Sequence, residues 1–340
     1  MSGGIDSTVA AMMLHEEGYE VVGITMKTWD YASSDAREVA VKMGFHHFII
    51  DIREEFGDYV IDNFVEEYIA GRTPNPCVLC NTHIKWSALL KRADAMDCEF
   101  IATGHYAQMG QKDGRIFIRK ARDGSKDQSY VLWGLDQHCL SRTSFPLGQY
   151  LKSEVRQFAS DYGYEALSQK PESYEICFVP DNDYRGFLKR RIPELESQVA
   201  GGLFVDVEGN VLGRHEGYPF FTIGQRRGLG QAFGEPMYVS EIRPQDNTVV
   251  LGPVEGLVRS SMTVYQANSM KYMEIPSGLE TVTMVRYGDR GTLSELNTLE
   301  NDRVSVDFYA GVRGVAPGQS AVFFEGDDLV GGGIIHSSRT

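Results

Sequence analysis

The spacing of apolar positions changes along the chain and divides it. Val9, Ala10, Ala11, Met12, Met13 and Leu14 form an apolar run that reads as a buried helix, and Tyr19–Met26 is β-branched and predicts a strand. Asp35–Met43 then reads as helix, Phe48–Ile52 as strand, and Phe56–Ala70 and Ile84–Met96 as further helices. Phe100–Thr103 reads as a strand closed by Gly104. Strand alternating with helix predicts an α/β fold built on a doubly wound parallel sheet, here over residues 1-188. Beyond Leu188 the pattern shortens. Residues 205–222 and 236–251 hold short strands broken by glycine, predicting a small β-rich central domain over 189-255. Strands such as Val304–Tyr309 and Ser320–Phe324, with turns at Pro317-Gly318 and Gly326-Asp327, predict a C-terminal β-barrel over 256-340.

The stretch before the first helix, Ser2-Gly3-Gly4-Ile5-Asp6-Ser7, has the composition of a phosphate loop. Its glycines let backbone N–H groups turn toward an anion, and Ser7 and Thr8 are suited to cap the helix. The Gly-Lys-Ser/Thr of a Walker loop is absent, which argues against a kinase or GTPase. S-G-G-x-D-S resembles instead the PP-loop of the N-type ATP pyrophosphatases, which cut ATP between the α and β phosphates. Such a loop normally follows a buried strand. None precedes it here, so about ten residues of strand and lead-in are expected to be missing. The linker from Trp29 to Ser34 is also short, and residues are expected to be missing there too.

Composition narrows the class. With 340 residues, 42% of them hydrophobic, the chain has material for two or three cores. No apolar run reaches the roughly 20 residues of a membrane span and no signal peptide is visible, so a soluble, cytoplasmic protein with no membrane partner is expected. A net charge of -14 argues against a broad nucleic-acid surface. Two local basic runs remain: Arg185, Lys189, Arg190 and Arg191, then Arg214, Arg226 and Arg227.

The cysteines carry the candidate chemistry. Five in a long chain without a secretion signal suggest free thiols, not a disulfide framework. In Arg72-Thr73-Pro74-Asn75-Pro76-Cys77-Val78-Leu79-Cys80, two prolines fix a loop that delivers Cys77 and Cys80 near a helix start, where a thiolate is expected to be stabilised. A zinc site would need two further ligands, and no second Cys-x-x-Cys or His-x-x-x-His exists, so no metal centre is expected. Gly104, at a strand end, permits close approach to a nucleotide, and His105 could face a substrate or cap the strand. Cys177, between Ile176 and Phe178 and after Lys170-Pro171-Glu172-Ser173, reads by itself as a buried small hydrophobe.

Taken together, the ordered motifs resemble the tRNA-specific 2-thiouridylases of the MnmA type. They are S-G-G-I-D-S, G-I-T-M-K around Met26, G-R-T-P-N-P-C-V-L-C-N, A-T-G-H-Y-A, K-D-Q-S-Y, I-C-F, T-I-G-Q-R-R-G-L-G from Thr222, V-R-Y at Arg286 and Tyr287, and P-G-Q-S-A-V-F at Gln319. The resemblance implies that the wobble uridine of tRNA is activated by ATP, accompanied by Mg²⁺, as an adenylate at its C2 oxygen. Sulfur then arrives from a persulfide on Cys177, supplied by a cysteine desulfurase or a sulfur-relay carrier, and Cys80 is the nucleophile that resolves it. It also implies ATP contacts by Ser2, Gly3, Gly4, Ile5, Asp6, Ser7, Met26 and Gly104. Asn75, Pro76 and Cys77 would meet the target base, and His105, Lys126, Asp127, Gln128, Arg286, Tyr287 and Gln319 the tRNA. Many members carry Asp where this chain has Cys77, so an acid/base role for that position does not transfer. Two other classes share part of the pattern. An amide-forming PP-loop synthetase would not need Cys80 and Cys177, and a non-catalytic tRNA-binding protein would not need Asp6.

Overall fold

The computed structural model describes residues 1–28, 34–169 and 176–339. Most of the short linker (29–33) and the lead-in to Cys177 (170–175) lie outside the described residues.

The first helix, Ile5–Glu16, is apolar on nearly every side because it is packed on nearly every side. Val9, Met12 and Met13 meet Leu147, Val155 and Ala159 of a later segment. Strand Val22–Lys27 pairs in parallel with His46–Asp51, and Ile101–Ala102 with Thr143–Ser144. Among the described residues the parallel layer is thus two separate pairs. Met1 lies beside the first pair, where the Thr25 hydroxyl donates to its carbonyl at 2.7 Å.

Both long helices begin earlier than their apolar pattern predicts. The run expected from Phe56 starts at Arg53 and passes through a wide turn at Gly57–Ile61 before ending at Ile69. The run expected from Ile84 starts at Pro76, widens over Cys80–Lys85 and ends at Asp94. Proline lacks the N–H that the first turn leaves unbonded, so Pro76 opens the helix that its presence seemed to delay. After Lys126 the chain forms a single 3₁₀ turn, Ser129–Leu132.

A hairpin with no counterpart in the expected pattern, Gln108–Lys112 with Arg115–Arg119, turns on Asp113 and Gly114, both at positive φ. Its second strand reaches the C-terminal sheet, where Arg119 pairs with Asp328. The central domain is a four-stranded sheet, with strands Val211–His215, Gly202–Val205, Thr248–Gly252 and Tyr238–Arg243 in that order. The C-terminal strands form a closed antiparallel barrel, because Val258–Ser269 pairs on one side with Arg303–Arg313 and on the other with Asp328–Arg339.

Two cores cross domain limits. Phe56, Phe64, Phe178 and Phe187 pack with Phe204, Phe220 and Val249 of the central sheet. Trp86, Tyr130, Leu132 and Phe117 pack with Val322, Phe324 and Leu329 of the barrel. The α/β domain is therefore buttressed from both sides, and its loops are held by residues far away in sequence.

Candidate active site

The phosphate loop is built from both of its neighbours. Gly3 adopts φ 76, a conformation glycine enters without strain, and Gly4 forms the helix N-cap with no side-chain cap. The expected capping by Ser7 and Thr8 does not occur. The helix starts at Ile5, one turn before Thr8, which is wholly buried with its hydroxyl unpartnered. Ser7 instead accepts from the Ser2 backbone N–H at 3.0 Å and donates to the Gly4 carbonyl at 3.3 Å, closing the loop on itself. Ile5 is buried in the core below, so its side chain supports the loop. Gly104 faces the loop backbone: a Cβ there would stand 2.7 Å from Asp6 C and Ser7 N. Its close approach is to the loop itself, which fixes the strand end against the helix start.

Asp6 has partners that the sequence did not suggest. Its Oδ1 accepts from the Tyr106 hydroxyl at 2.9 Å and from Lys152 Nζ at 2.6 Å. Lys152 is 7% exposed and opens the helix Lys152–Asp161, with its ammonium 5.4 Å from the Tyr106 ring centre. No Walker lysine lies in the loop, yet a buried ammonium reaches it from 146 residues away. Met26 lies near the carboxyl end of its strand, opposite Ile50, and packs against two cores.

The thiols converge. Burial, then the nearby Cys80 and Cys77, push the Cys177 thiol up to about 11, and the Lys85 charge acts on all three groups in the opposite sense. The Cys177 residue as a whole is solvent-exposed, which corrects the reading of it as a buried hydrophobe, and it is the crowding around its thiol that desolvates the sulfur. Its turn is closed by the Val179 N–H on the Ile176 carbonyl at 2.8 Å and anchored by Phe178, whose ring meets Phe64 at 5.2 Å and Phe187 at 5.3 Å. Cys77 and Cys80 share one helix face at i and i+3. The thiolate stabilisation expected of a helix start is absent. Burial raises both thiols, and neither a first turn of four residues nor Lys85 offsets the lost hydration. All five cysteines are free.

Lys85 is the second residue that sequence reasoning passed over. Its ammonium donates to Asn81 Oδ1 at 2.7 Å, and Asn81, 2% exposed, donates to the Val131 carbonyl. His105 shares a 2.8 Å hydrogen bond with Thr103 through Nδ1, and burial followed by the Lys85 charge holds its imidazole neutral. Gly104 thus abuts the phosphate loop, and the adjacent His105 lies within reach of the same Lys85 charge that acts on the thiols.

Several residues that the resemblance places on tRNA have their polar atoms engaged within the protein. Asn75 caps the cysteine helix, accepting from the Val78 N–H at 3.4 Å, with Pro76 buried behind it. Asp127 accepts from the Ala121 N–H at 2.8 Å and the Ser129 hydroxyl at 2.6 Å. The Gln128 side chain accepts from the Tyr106 N–H at 3.0 Å. Lys126 closes the turn before them through its N–H on the Asp123 carbonyl. Gln319 donates to the Thr73 and Pro74 carbonyls, both at 3.0 Å. Arg286 and Tyr287 are exposed at the barrel rim, where the Tyr287 ring lies 5.8 Å from that of Tyr130.

A helix N-terminus shaped for phosphate, tied through one strand end to a cluster of thiols, defines a nucleotide-loop protein equipped for sulfur chemistry. The chain matches the families described as "tRNA methyl transferase HUP domain" over residues 1–181, "tRNA methyl transferase PRC-barrel domain" over 185–253 and "Aminomethyltransferase beta-barrel domain" over 259–335. It is 56% identical to the tRNA-specific 2-thiouridylase MnmA of Amoebophilus asiaticus, covering 99% of this chain and 94% of that one. It is 57% identical to the protein of that name in Cytophaga hutchinsonii, covering 99% and 96%, and 50% identical to that of Salinibacter ruber, covering 99% and 93%. The chain belongs to the tRNA-specific 2-thiouridylase family.

Proposed function

We propose that this protein is a tRNA-uridine 2-sulfurtransferase that thiolates C2 of the wobble uridine at the expense of ATP. The observation that carries the reading is the convergence of Cys77, Cys80, Cys177 and Lys85 beside a strand end that also abuts the phosphate loop. An amide-forming ligase has no use for that cluster.

The residues present fit ATP. The uncapped start of a 12-residue helix offers N–H groups and a positive dipole end to the phosphates, and Gly104 leaves the loop undisturbed by a side chain. Asp6, its rotamer fixed by Tyr106 and Lys152, is the carboxylate that would orient a Mg²⁺ accompanying ATP. Among the described residues no group of three ligating side chains could hold a resident metal.

The C2 oxygen attacks the α phosphorus, pyrophosphate leaves, and uridine carries AMP on an oxygen that is now a good leaving group. A persulfide on Cys177, received from a cysteine desulfurase or relay carrier, delivers its terminal sulfur to C2 and AMP departs. Cys80 then attacks the Cys177 sulfur, releasing 2-thiouridine and leaving a Cys80–Cys177 disulfide for an external thiol to reduce. Release of hydrosulfide by Cys80 before attack on C2 gives the same products. Domain limits of 1-188, 189-255 and 256-340 assign activation and sulfur transfer to the first and tRNA grip to the others. No described helix is long and apolar enough to cross a membrane, and a cytoplasmic site of action accords with a tRNA substrate. Incubation of the protein with tRNA, ATP and a desulfurase, followed by nucleoside mass analysis, tests the reading. It predicts 2-thiouridine at the wobble position, and recovery of unmodified uridine alone contradicts it.

A further inference from the structure

Just past Cys77 the cysteine helix widens, and the widening decides which charge faces the thiols. Over Cys80–Lys85 the backbone closes from i to i+5 in place of i to i+4. In a regular α-helix the side chain at position 85 would be rotated by about 140° from that at position 80. The wider turn swings Lys85 back toward the face that carries Cys80. The turn is locked from its other sides. Asn81 and Ile84 are buried, and a Cβ on Gly134 would collide with the Thr82 side chain. The Lys85 ammonium is held in turn by Asn81, whose Oδ1 accepts from it at 2.7 Å and whose Nδ2 donates to the Val131 carbonyl at 3.0 Å. An amide oxygen orients a cation without neutralising it, and among the described residues no carboxylate pairs with Lys85. Cys77, Cys80, Cys177 and His105 all lie within the field of this half-buried ammonium, which opposes the effect of burial on the thiols.

We infer that Lys85 is the counter-ion of sulfur transfer, and that the wide turn Cys80–Lys85 is the device that aims it at the thiols. The inference deepens the proposed function and rests on it for what the sulfur does, but the charge itself is read without turnover. Each step of that path puts negative charge on sulfur in a partly dehydrated site. The outer sulfur of the Cys177 persulfide attacks C2 as an anion, and Cys80 attacks the inner sulfur as a thiolate. In the second step the S–S bond breaks, its electron pair leaves with the sulfur on C2, and the Cys80–Cys177 bond forms. Lys85 gives up no proton in either step and acts by attraction alone, lowering the cost of each anion. It does not ionise the resting thiols, which burial holds protonated. A single cation in reach of both cysteines serves both steps.

The test compares alkylation by iodoacetate, an anion, with alkylation by iodoacetamide, its neutral analogue, mapped by peptide mass analysis on the free protein without tRNA or ATP. The ratio of the two rates at one cysteine reads the local charge, because access and thiolate content affect both reagents alike. Lys85→Gln, which can still bond to Asn81, should lower the ratio at Cys80 and at Cys177 by about fivefold and leave that at Cys98 unchanged. Lys85→Arg keeps the charge and should stay within about twofold of the wild type at both sites. Thiolation in the full assay should fall in Lys85→Gln and recover in part in Lys85→Arg. The wild type gives a reading that needs no substitution: in about 1 M salt, where the screening length is about 3 Å, the ratio at Cys80 should fall relative to that at Cys98. Equal changes with both reagents, leaving the ratios where they were, would overturn the counter-ion and assign Lys85 to packing. Lower ratios with undiminished thiolation would overturn its part in sulfur transfer. A wild-type protein that makes no 2-thiouridine would overturn the proposed function and leave the reagent ratios standing.

Discussion

Lys152 and Lys85 are single residues that decide the electrostatics of the two half-sites, and neither stands out in the chain. Tertiary structure brings Lys152 to Asp6, whereas Lys85 reaches the thiols because it lies in the same widened helical turn, Cys80–Lys85. Lys152→Gln is expected to reduce pyrophosphate release by about tenfold to a hundredfold, the loss of a charge-assisted hydrogen bond of about 1.5–3 kcal/mol. Release at the wild-type rate would show that the Asp6 contact is dispensable. The glycines and Asp6 stood out because a phosphate loop needs those residue types in that order, whereas Cys177 read by itself as a buried hydrophobe and gained its proposed role only through the family resemblance. The protonation of the thiols was not legible, since desolvation depends on packing. With Cys177 pushed up to about 11, persulfide loading should accelerate by about tenfold per pH unit through the neutral range and level off only near that value. A loading rate flat from pH 6 to 9 would mean that the thiol ionises lower than its surroundings dictate. Cys77→Ser should retain substantial thiolation while Cys80→Ser loses it, and wobble-uridine analysis of the two variants separates these outcomes.

Elements were legible where their periodicity was strong and their ends free of proline. The short, glycine-broken central strands and the barrel strands were expected, and the structure forms them. The cysteine helix was expected to start later than it does because Pro74 and Pro76 were read as fixing a loop, whereas Pro76 takes the first helical position. The hairpin at 108–119 was missed because its first strand is short and polar and its second, Arg115–Arg119, is too short to show a period. That hairpin matters, since its contact with the barrel is a charge network. Lys271, 7% exposed, donates to Glu325 and, at 2.8 Å, to Asp328, which also accepts from Arg119 at 2.8 Å. Bonding to Lys271 lowers Glu325; bonding to Lys271 and Arg119 outweighs the burial that would raise Asp328, so it too is lowered. Their contribution to stability is therefore present above the unfolded carboxylate values of 4.5 and 3.8 and is lost as pH falls through the lower folded ones. Lys271→Met leaves these two carboxylates without their shared cation and should cost about 2 kcal/mol, reduced from the fully buried range because Glu325 is 40% exposed. Urea unfolding at pH 7 and pH 3 checks both points. The variant should be less stable than the wild type at pH 7, and the gap should narrow at pH 3. A constant gap would place the effect in packing.

At the scale of the whole molecule, the proposed function sets a net charge of -14 against a tRNA substrate, and the local basic runs are the candidates to reconcile the two. Arg226 and Arg227 are exposed on the central domain, and Arg185 donates to the Gly228 carbonyl beside them at 3.4 Å. Removing both charges should lower the slope of log affinity for tRNA against log salt by about 0.7–0.9 for each phosphate that is no longer neutralised. An unchanged slope would assign these arginines to the fold. The three-part architecture was legible from the changes in periodicity, but the joining of its parts was not. The cores around Phe178 and Trp86, and the contacts of residues 69–75, join residues more than a hundred positions apart. Those joints hold the loop and the thiols in one site, and the sulfur path through that site is the centre of the account. The most direct measurement is to charge the wild-type protein and Cys177→Ser with labelled sulfur, in the presence of tRNA and ATP but no reductant, and map the label and the disulfides by mass spectrometry. Cys177→Ser should release pyrophosphate but make no 2-thiouridine. The wild type should stop after about one turnover with Cys80 joined to Cys177. A persulfide on Cys98 or Cys139 and never on Cys177 would contradict this sulfur path.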